Sequence, residues 1–427
     1  DPLIARSTRK TITPAYQERI ESPLKMARSF RRLWAGAGLS MLADQAFLVA
    51  LTWLVLRVTG SGAELGLVLA VASIPGTILT PAGGVLSDRH SPALIMIWAS
   101  AGRVLLLALL TVLIMADATR IWHVYVIAAG LSALDALYYP ASMSIVPTLV
   151  DRDRLSAANA LTQAAEQVSS IFGPALAGTL LALLGLGASF GATAVLFLIA
   201  TALFGAVARV AKPSGAEVRD VPEKDKGQSG ARIEFSEGIR YVWRDGVIRS
   251  LLLILLCTNL AMMGPLYVGG AVLAESRLGG AGAFGTLVGA AGVGALIGIV
   301  GAGSVSRFRR RGLIELGLTS LLGVIVGAIA FVPNLAAAVA LAIAIGATSS
   351  FLGVVTVSWL QERTEPALIG RVMSFAMFSA VALDPISFAL AGMLVGLNLT
   401  AMFLAAGVLL LLTAVLGALS RTMREAD

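Results

Sequence analysis

Cysteine, histidine and charged residues are all scarce in this sequence of 427 residues. A single cysteine, Cys257, excludes an intramolecular disulfide framework and a thiolate metal site. Only two histidines occur, and no HExxH, P-loop or paired-cysteine motif is present, so we expect no metal centre and no ATP-driven step. One G-x-S-x-G match, residues 187–191, lies between two apolar runs rather than at a strand-to-helix elbow with a histidine partner. The sequence therefore predicts that the protein is not an enzyme.

Charged residues make up 13% of the chain, whereas hydrophobic residues make up 57% and the mean hydropathy is +0.86. A soluble domain averages about 25% charged residues and has too much surface to hide this apolar excess. The excess predicts contact with lipid. Apolar runs of roughly 20 residues are long enough to cross a bilayer as helices, and they are far longer than the strands of a β-barrel.

Twelve such runs divide the chain. They predict an all-α membrane protein with twelve transmembrane helices in two six-helix bundles. We place the spans at residues 33–56, 65–86, 93–115, 122–145, 157–184, 187–208, 248–270, 281–303, 313–331, 335–359, 368–395 and 400–419.

Lysine and arginine are distributed unevenly over the segments between these spans. Of the 32, 28 fall on the side of the two termini and three fall on the opposite side. Because basic residues accumulate in cytoplasmic loops, we expect both termini in the cytoplasm of a bacterial cell, with the protein multi-pass in the inner (plasma) membrane. The basic charge thus follows the topology rather than one folded face, so no binding to nucleic acid is expected.

The polar segments predict the domain organisation. A basic cytoplasmic segment (1–32) precedes the first bundle (33–208), a cytoplasmic linker with an interfacial helix (209–247) precedes the second bundle (248–419), and a cytoplasmic tail (420–427) ends the chain. Weak repeats at 175–178 and 389–392, and at 84–89 and 303–308, match when span n is paired with span n+6. This register predicts two pseudo-symmetric halves.

Ionisable residues inside the spans are the best candidates for function, because each costs about 2.5–3.5 kcal/mol at the centre of a helix. Four carboxylates cannot all pair with one guanidinium, so some are expected to take up and release protons or bind cations. Polar side chains near these carboxylates suggest that the helices carrying them line a cavity filled with water or substrate. The predicted proton-coupling and cavity residues are Asp44, Gln45, Asp135, Gln163, Glu166, Asn259 and Asp384.

Structural roles stay open for some of these residues. Arg103 is expected to neutralise one carboxylate, Asp44 or Asp135, as a structural charge partner. Asp384 is followed by Pro385, so this pair could instead mark a helix kink.

Two motifs resemble those of a known transporter family. Residues 84–89, Gly-Val-Leu-Ser-Asp-Arg, resemble the loop 2–3 signature of the major facilitator superfamily, although the usual basic tail is absent. Residues 173–178, Gly-Pro-Ala-Leu-Ala-Gly, are similar to the antiporter motif of its exporters. With Leu-Ser-Ala-Ala-Asn at 155–159 and Gly-Arg-Val-Met-Ser at 370–374, the chain resembles the bacterial drug and metabolite efflux branch, which includes macrolide and enterobactin exporters.

This resemblance implies the major facilitator fold and roles for particular residues. Gly84, Asp88 and Arg89 would form a gating loop that meets Gly370 and Arg371, and Gly173, Pro174 and Gly178 would form an antiporter-type bend. The implied function is proton-coupled export of drugs or other amphipathic small molecules by alternating access. The proton gradient would supply the energy, and no cofactor is expected. We expect a monomer whose partners are membrane lipids and a small amphipathic substrate. A lipid or lysolipid flippase, or a proton-coupled importer, is the alternative on the same fold.

Overall fold

The described part of the chain is helical throughout. The computed structural model describes residues 28–150, 152–209, 240–303, 310–365, 368–420 and 423. No strand occurs within those ranges. Eleven of their helices are long and apolar enough to cross a membrane. The predicted fold class, an all-α membrane protein, is confirmed.

The amino-terminal half contains six helical segments. Helix α1 begins at Arg28, five residues before the predicted first span, and ends at Thr59. The second segment begins behind an N-cap in which Ser61 accepts a hydrogen bond from the Glu64 amide. The bounds are α1 Arg28–Thr59, α2 Gly62–Arg89, α3 Pro92–Met115, α4 Ile121–Leu149, α5 155–184 and α6 186–208.

Helices α5 and α6 form one continuous stretch, Leu155–Ala208, which counts as a single helix among the eleven. Its 54 residues would extend for about 80 Å if straight, far beyond a bilayer of about 30 Å. The stretch is interrupted at Gly185, whose φ of 78° favours glycine. This break lies where the sequence predicts the boundary between spans 5 and 6. The two segments on either side bring the number of crossing segments to the predicted twelve.

The carboxy-terminal half also contains six helices. They are α7 Gly246–Leu278, α8 Ala281–Gly303, α9 Arg311–Ile329, α10 Leu335–Arg363, α11 Ile369–Leu397 and α12 Leu399–Leu419. Helix α7 runs eight residues past the predicted end of span 7 and carries two π-helical turns, at Pro265–Gly269 and Ala274–Leu278. Helix α11 is interrupted between Val381 and Asp384, with Pro385 in the first turn of its second segment. The kink that the Asp384-Pro385 pair predicts as one alternative is therefore present.

The halves meet mainly at two helix pairs, α2 with α11 and α5 with α8, with smaller contacts of α1 and α2 with α7 and of α1 with α8. Both contacts depend on glycine. A Cβ atom on Gly66 would lie 2.6 Å from the Cα of Gly392, and one on Gly285 would lie 3.1 Å from the Cα of Gly178. These residues lie toward the end of the bundle that carries the α1–α2 and α7–α8 connections, which we call the closed end. At the other end, the segment Ile369–Val381 of α11 packs against α7 and α10 of its own half.

Several predicted segments lie outside the described residues. These are most of the basic amino-terminal segment (1–27), most of the linker with its interfacial helix (210–239), the repeat at 304–308, and most of the tail (421–422 and 424–427). Within the linker, residues 240–247 are described, and residues 240–244 are helical.

Candidate functional site

Arg103 is the largest fully buried polar side chain among the described residues, with 1% of its surface exposed. It projects from the middle of α3 into the interior of the amino-terminal half. An arginine is always ionised at this depth, so its position is tolerable only if neighbouring side chains compensate the charge.

Three side chains on two helices supply that compensation. The guanidinium donates a hydrogen bond of 3.1 Å to the Ser40 hydroxyl on α1. The carboxylate of Asp44, one turn further along α1, lies 3.7 Å from the guanidinium. Helix α4 contributes Asp135, which forms the closer ion pair with Arg103. Arg103, Asp44 and Asp135 are called the Arg103 cluster below.

Aromatic rings hold the guanidinium from its other faces. Its central carbon lies 4.4 Å from the ring centre of Tyr138 on α4 and 5.3 Å from that of Phe197 on α6. Such cation–π contacts contribute about 0.5–2 kcal/mol each, depending on desolvation. Arg103 is therefore fixed by four helices, α1, α3, α4 and α6.

The two carboxylates differ from Arg103 in their access to solvent. The side chains of Asp44 and Asp135 are 37% and 50% exposed, whereas that of Arg103 is 1% exposed. An ionised carboxylate facing lipid is costly, so the exposed oxygens are expected to face an aqueous space. With both acids ionised, the Arg103 cluster carries one net negative charge. It can therefore accept one proton and become neutral.

Other predicted cavity residues of this half lie along α1 and α5. Gln163 and Glu166 are exposed on α5 and do not contact Arg103, although Glu166 is within electrostatic range of Tyr139 on α4. The next turn of α5 is tied to α1, because Ser169 donates a hydrogen bond of 3.2 Å to the Gly38 carbonyl. Gln45 packs directly against Gly173. The structure thus separates Glu166 from the two acids that surround Arg103.

In the carboxy-terminal half, no hydrogen bond joins the two predicted polar residues, Asn259 and Asp384, within the described ranges. Asn259 donates its amide hydrogen to the Leu255 carbonyl within α7, at 3.0 Å. Asp384 is half-buried at the break in α11, and its Oδ1 atom has no hydrogen-bond partner among the described residues. The Arg103 cluster has no counterpart here that contains an arginine between two acids, as far as the described residues extend.

The motif at 173–178 lies at two helix contacts. Gly173 faces α1, where an added Cβ would lie 2.5 Å from the Cβ of Gln45. The carbonyl of Pro174 and the Cα of Gly178 face Gly285 on α8, across the contact between the halves. The chain stays helical through Pro174. The bend expected here from the resemblance stays a prediction, whereas the close packing is observed.

The gating motif is described only in part. Gly84 lies near the end of α2, and an added Cβ would meet nothing within 4 Å. The same holds for Gly370 at the start of α11, and Arg371 follows it in the first turn. Asp88 and Arg89 belong to α2, but their side chains lie outside the described part of the structure. Their contact with α11 stays a prediction.

A fifth embedded carboxylate, Glu315 on α9, did not emerge from the sequence. It is 0% exposed, and its Oε1 atom accepts a hydrogen bond of 2.5 Å from Thr356 on α10. It lies at the third position of the predicted span 313–331, four residues after the last of three consecutive arginines, Arg309–Arg311, and not near mid-span like the predicted carboxylates. The apolar residues on either side of it are the signal that could have indicated a buried position. No group of three or more histidine, cysteine or acidic residues that could hold a metal ion occurs in the described ranges.

Comparison with known proteins agrees with this architecture. A family model described as Major Facilitator Superfamily matches residues 33–386. The multidrug efflux pump Tap of Mycolicibacterium fortuitum is 27% identical over 93% of this chain and 96% of its own length. Macrolide efflux protein A of Streptococcus pyogenes is 28% identical over 35% of this chain and 37% of its own length.

Solved structures show the same fold at low sequence identity. The crystal structure of the POT family transporter PepTSo has a TM-score of 0.72, is 13% identical, and covers 94% of this chain and 99% of its own. At this identity the likeness concerns the fold alone. The family model, however, spans most of the chain and both halves of the helical bundle. The chain therefore belongs to the major facilitator superfamily.

Proposed function

We propose that this protein is a proton-coupled exporter of amphipathic small molecules that works by alternating access. The observation that carries the proposal is the Arg103 cluster. A fully buried guanidinium is shared by two acids, Asp44 and Asp135, that retain solvent access. The similarity to efflux proteins supports export over import.

The chemistry follows from the charge balance of the cluster. Arg103 can compensate the charge of only one of its two acids. The other carboxylate can therefore bind a proton without leaving an uncompensated buried charge. Protonation removes the net negative charge and leaves a neutral arrangement held by the same four helices. Because α1 and α4 each contribute one acid, the protonation state can bias how these helices sit against each other.

The closed end corresponds to one state of the proposed alternating-access cycle. The distribution of basic residues favours an outer-face position for this end, so a cavity between the halves would open toward the cytoplasm. An exporter loads its substrate from that side and an importer releases it there, so the proposed direction rests on the similarity to efflux proteins. One proton that moves inward across 100 mV supplies about 2.3 kcal/mol, enough for roughly a fifty-fold gradient of a neutral substrate.

Glu166 is the third candidate for the coupling residue. It is exposed and unpaired with Arg103, so its protonation would not change the charge balance of the cluster. We therefore rank it behind Asp135 and Asp44.

The test is efflux of a cationic fluorescent dye from proteoliposomes with an imposed pH gradient, compared with dye exchange without a gradient. Asp135→Asn and Asp44→Asn are expected to lose gradient-driven efflux by at least tenfold and to keep exchange. Asp117→Asn is the matched control, because Asp117 is exposed in the α3–α4 connection. If both cluster variants pump as well as the control, the Arg103 cluster does not carry the proton.

A further inference from the structure

An apolar cavity lies inside the carboxy-terminal bundle rather than between the halves. Its volume is about 40 Å³, and its walls come from α7, α8, α9, α10 and α12. The lining residues include Leu266 and Gly270 on α7, Val326 on α9, Ala342 on α10 and Phe403 on α12. This space is called the C-terminal cavity below.

The wall of the C-terminal cavity is formed by hydrophobic side chains and glycine. A water molecule needs two to four polar partners to be stable in a protein interior, and these side chains offer none. An alkyl chain, by contrast, gains from such surroundings about 0.8 kcal/mol for each buried methylene. The chemistry of the wall therefore selects a nonpolar group.

The backbone of α7 is shaped around this space. The π-helical turn at Pro265–Gly269 places Pro265, Leu266 and Gly270 on the same wall. Single π turns inside α-helices are rare and occur frequently at functional sites. This turn is anchored at its start from α11, since Ser387 accepts a hydrogen bond of 2.8 Å from the Gly264 amide.

Gly270 is not required by close packing. A Cβ atom added there would lie 3.5 Å from the Phe284 ring, an ordinary van der Waals distance. Other glycines at helix contacts, such as Gly66, would bring an added Cβ within 2.6 Å of backbone atoms. A side chain would thus be accommodated at Gly270, and glycine instead leaves the cavity wall open.

We propose that the C-terminal cavity binds the apolar end of the transported molecule, a short alkyl chain of about three carbons. This inference rests on the proposed export of amphipathic molecules. It assigns the charged or polar part of the substrate to the amino-terminal half, where the embedded acids are concentrated, and the apolar part to the interior of the carboxy-terminal half.

The test uses N-alkyl styrylpyridinium dyes with chains from methyl to octyl, bound to the purified full-length protein in detergent without a pH gradient. Each methylene that enters the cavity should tighten Kd by about fourfold, up to the chain length at which the cavity is full. Because longer chains also partition into micelles, the result is expressed as the ratio of Kd between variant and parent for each dye.

Three variants resolve the assignment. Ala342→Leu adds three carbons to the cavity, so long-chain dyes should bind about fourfold more weakly for each methylene displaced, whereas the methyl dye should bind as before. Val326→Ala enlarges the cavity and should extend the range of chain lengths over which Kd tightens. Ala340→Leu is the matched control on the same helix, because Ala340 is exposed.

Two outcomes would overturn the assignment. One is a Kd ratio that does not depend on chain length in both Ala342→Leu and Val326→Ala. The other is occupancy by bilayer lipid, detected as an anomalous bromine signal in the cavity in crystals grown with acyl-brominated phospholipid. Gradient-driven efflux of the methyl dye is measured after the same purified proteins are reconstituted into proteoliposomes. Its absence would contradict proton-coupled export, whereas the chain-length profile tests the cavity separately.

Discussion

The hydroxyl of Ser387 on α11 donates a hydrogen bond of 2.6 Å to the carbonyl of Leu260 on α7. The same hydroxyl accepts a hydrogen bond of 2.8 Å from the amide of Gly264, four residues further along α7. One side chain thus connects a donor and an acceptor that belong to the same turn of another helix. The π-helical turn of α7 begins at the next residue, Pro265. Side chains that insert into a helical hydrogen-bond ladder are a known cause of local distortion.

Replacement of Ser387 should therefore weaken the carboxy-terminal half. Ser387→Ala removes both hydrogen bonds at a buried site, and we expect a loss of about 1–3 kcal/mol in the free energy of unfolding. The measurement is the thermal unfolding midpoint of the detergent-solubilised protein. Ser276→Ala is the control, because Ser276 is exposed and bonds only to Val272 of its own helix. An equal midpoint for the two variants would contradict a bridging role for Ser387.

Thr356 is expected to stabilise the contact between α9 and α10. Thr356→Val removes the hydroxyl that donates to the buried carboxyl of Glu315, whose second oxygen has no partner among the described residues. We expect a loss of about 1–3 kcal/mol, again measured by thermal unfolding. Thr319→Val serves as the control, because Thr319 is equally buried and donates only to the backbone carbonyl of Glu315. A smaller effect of Thr356→Val than of the control would contradict this assignment.

Glycine at the closed end should be required for transport. Gly66→Ala and Gly285→Ala each place a Cβ about 2.5 Å from a backbone carbonyl oxygen of the opposite half, at Phe388 and Pro174. Because backbone atoms cannot move aside cheaply, the halves should separate at this end and transport should fall at least tenfold, with unchanged expression. Dye efflux from proteoliposomes measures the effect. Gly317→Ala is the control, since an added Cβ there meets nothing within 4 Å. Full transport by both interface variants would show that the contact is dispensable.

Hydrophobicity and special backbone residues made much of the fold predictable. The twelve apolar runs identify the membrane segments, Gly185 marks the break between α5 and α6, and Asp384-Pro385 marks the break in α11. The π-helical turn at Pro265–Gly269 could not be predicted, because Ser387 contributes to it from a distant part of the chain. Glu315 was missed because it lies near the start of its span, four residues after Arg311, whereas the carboxylates predicted from the sequence lie near mid-span.

The sequence predicted that Arg103 pairs with an embedded carboxylate, but it left Asp44 and Asp135 open as partners. A lone buried cation requires a carboxylate, and both Asp44 and Asp135 were possible partners. The structure brings both to Arg103, together with Ser40 and Tyr138, because α1, α3 and α4 pack at the same depth. The functional role of this cluster stays a prediction.

Removal of the positive charge should destabilise the amino-terminal half more than any change above. Arg103→Gln leaves Asp44 and Asp135 facing each other without a cation among the described residues. Breaking a buried ion pair by removing one partner costs about 3–5 kcal/mol. We therefore expect a low yield of folded protein and a lower thermal unfolding midpoint.

The double variant Arg103→Gln/Asp135→Asn should recover part of that loss, because it also removes the carboxylate that lies closer to the guanidinium. Arg103→Gln/Asp44→Asn should recover less, because Asp44 lies 3.7 Å from the guanidinium and forms the longer of the two ion pairs. Arg103→Gln/Asp117→Asn is the control and should recover nothing, because Asp117 is exposed outside the cluster. Equal recovery in all three double variants would mean that net charge, rather than the local ion pair, determines stability, and a parental midpoint for Arg103→Gln alone would exclude the structural role of the pair.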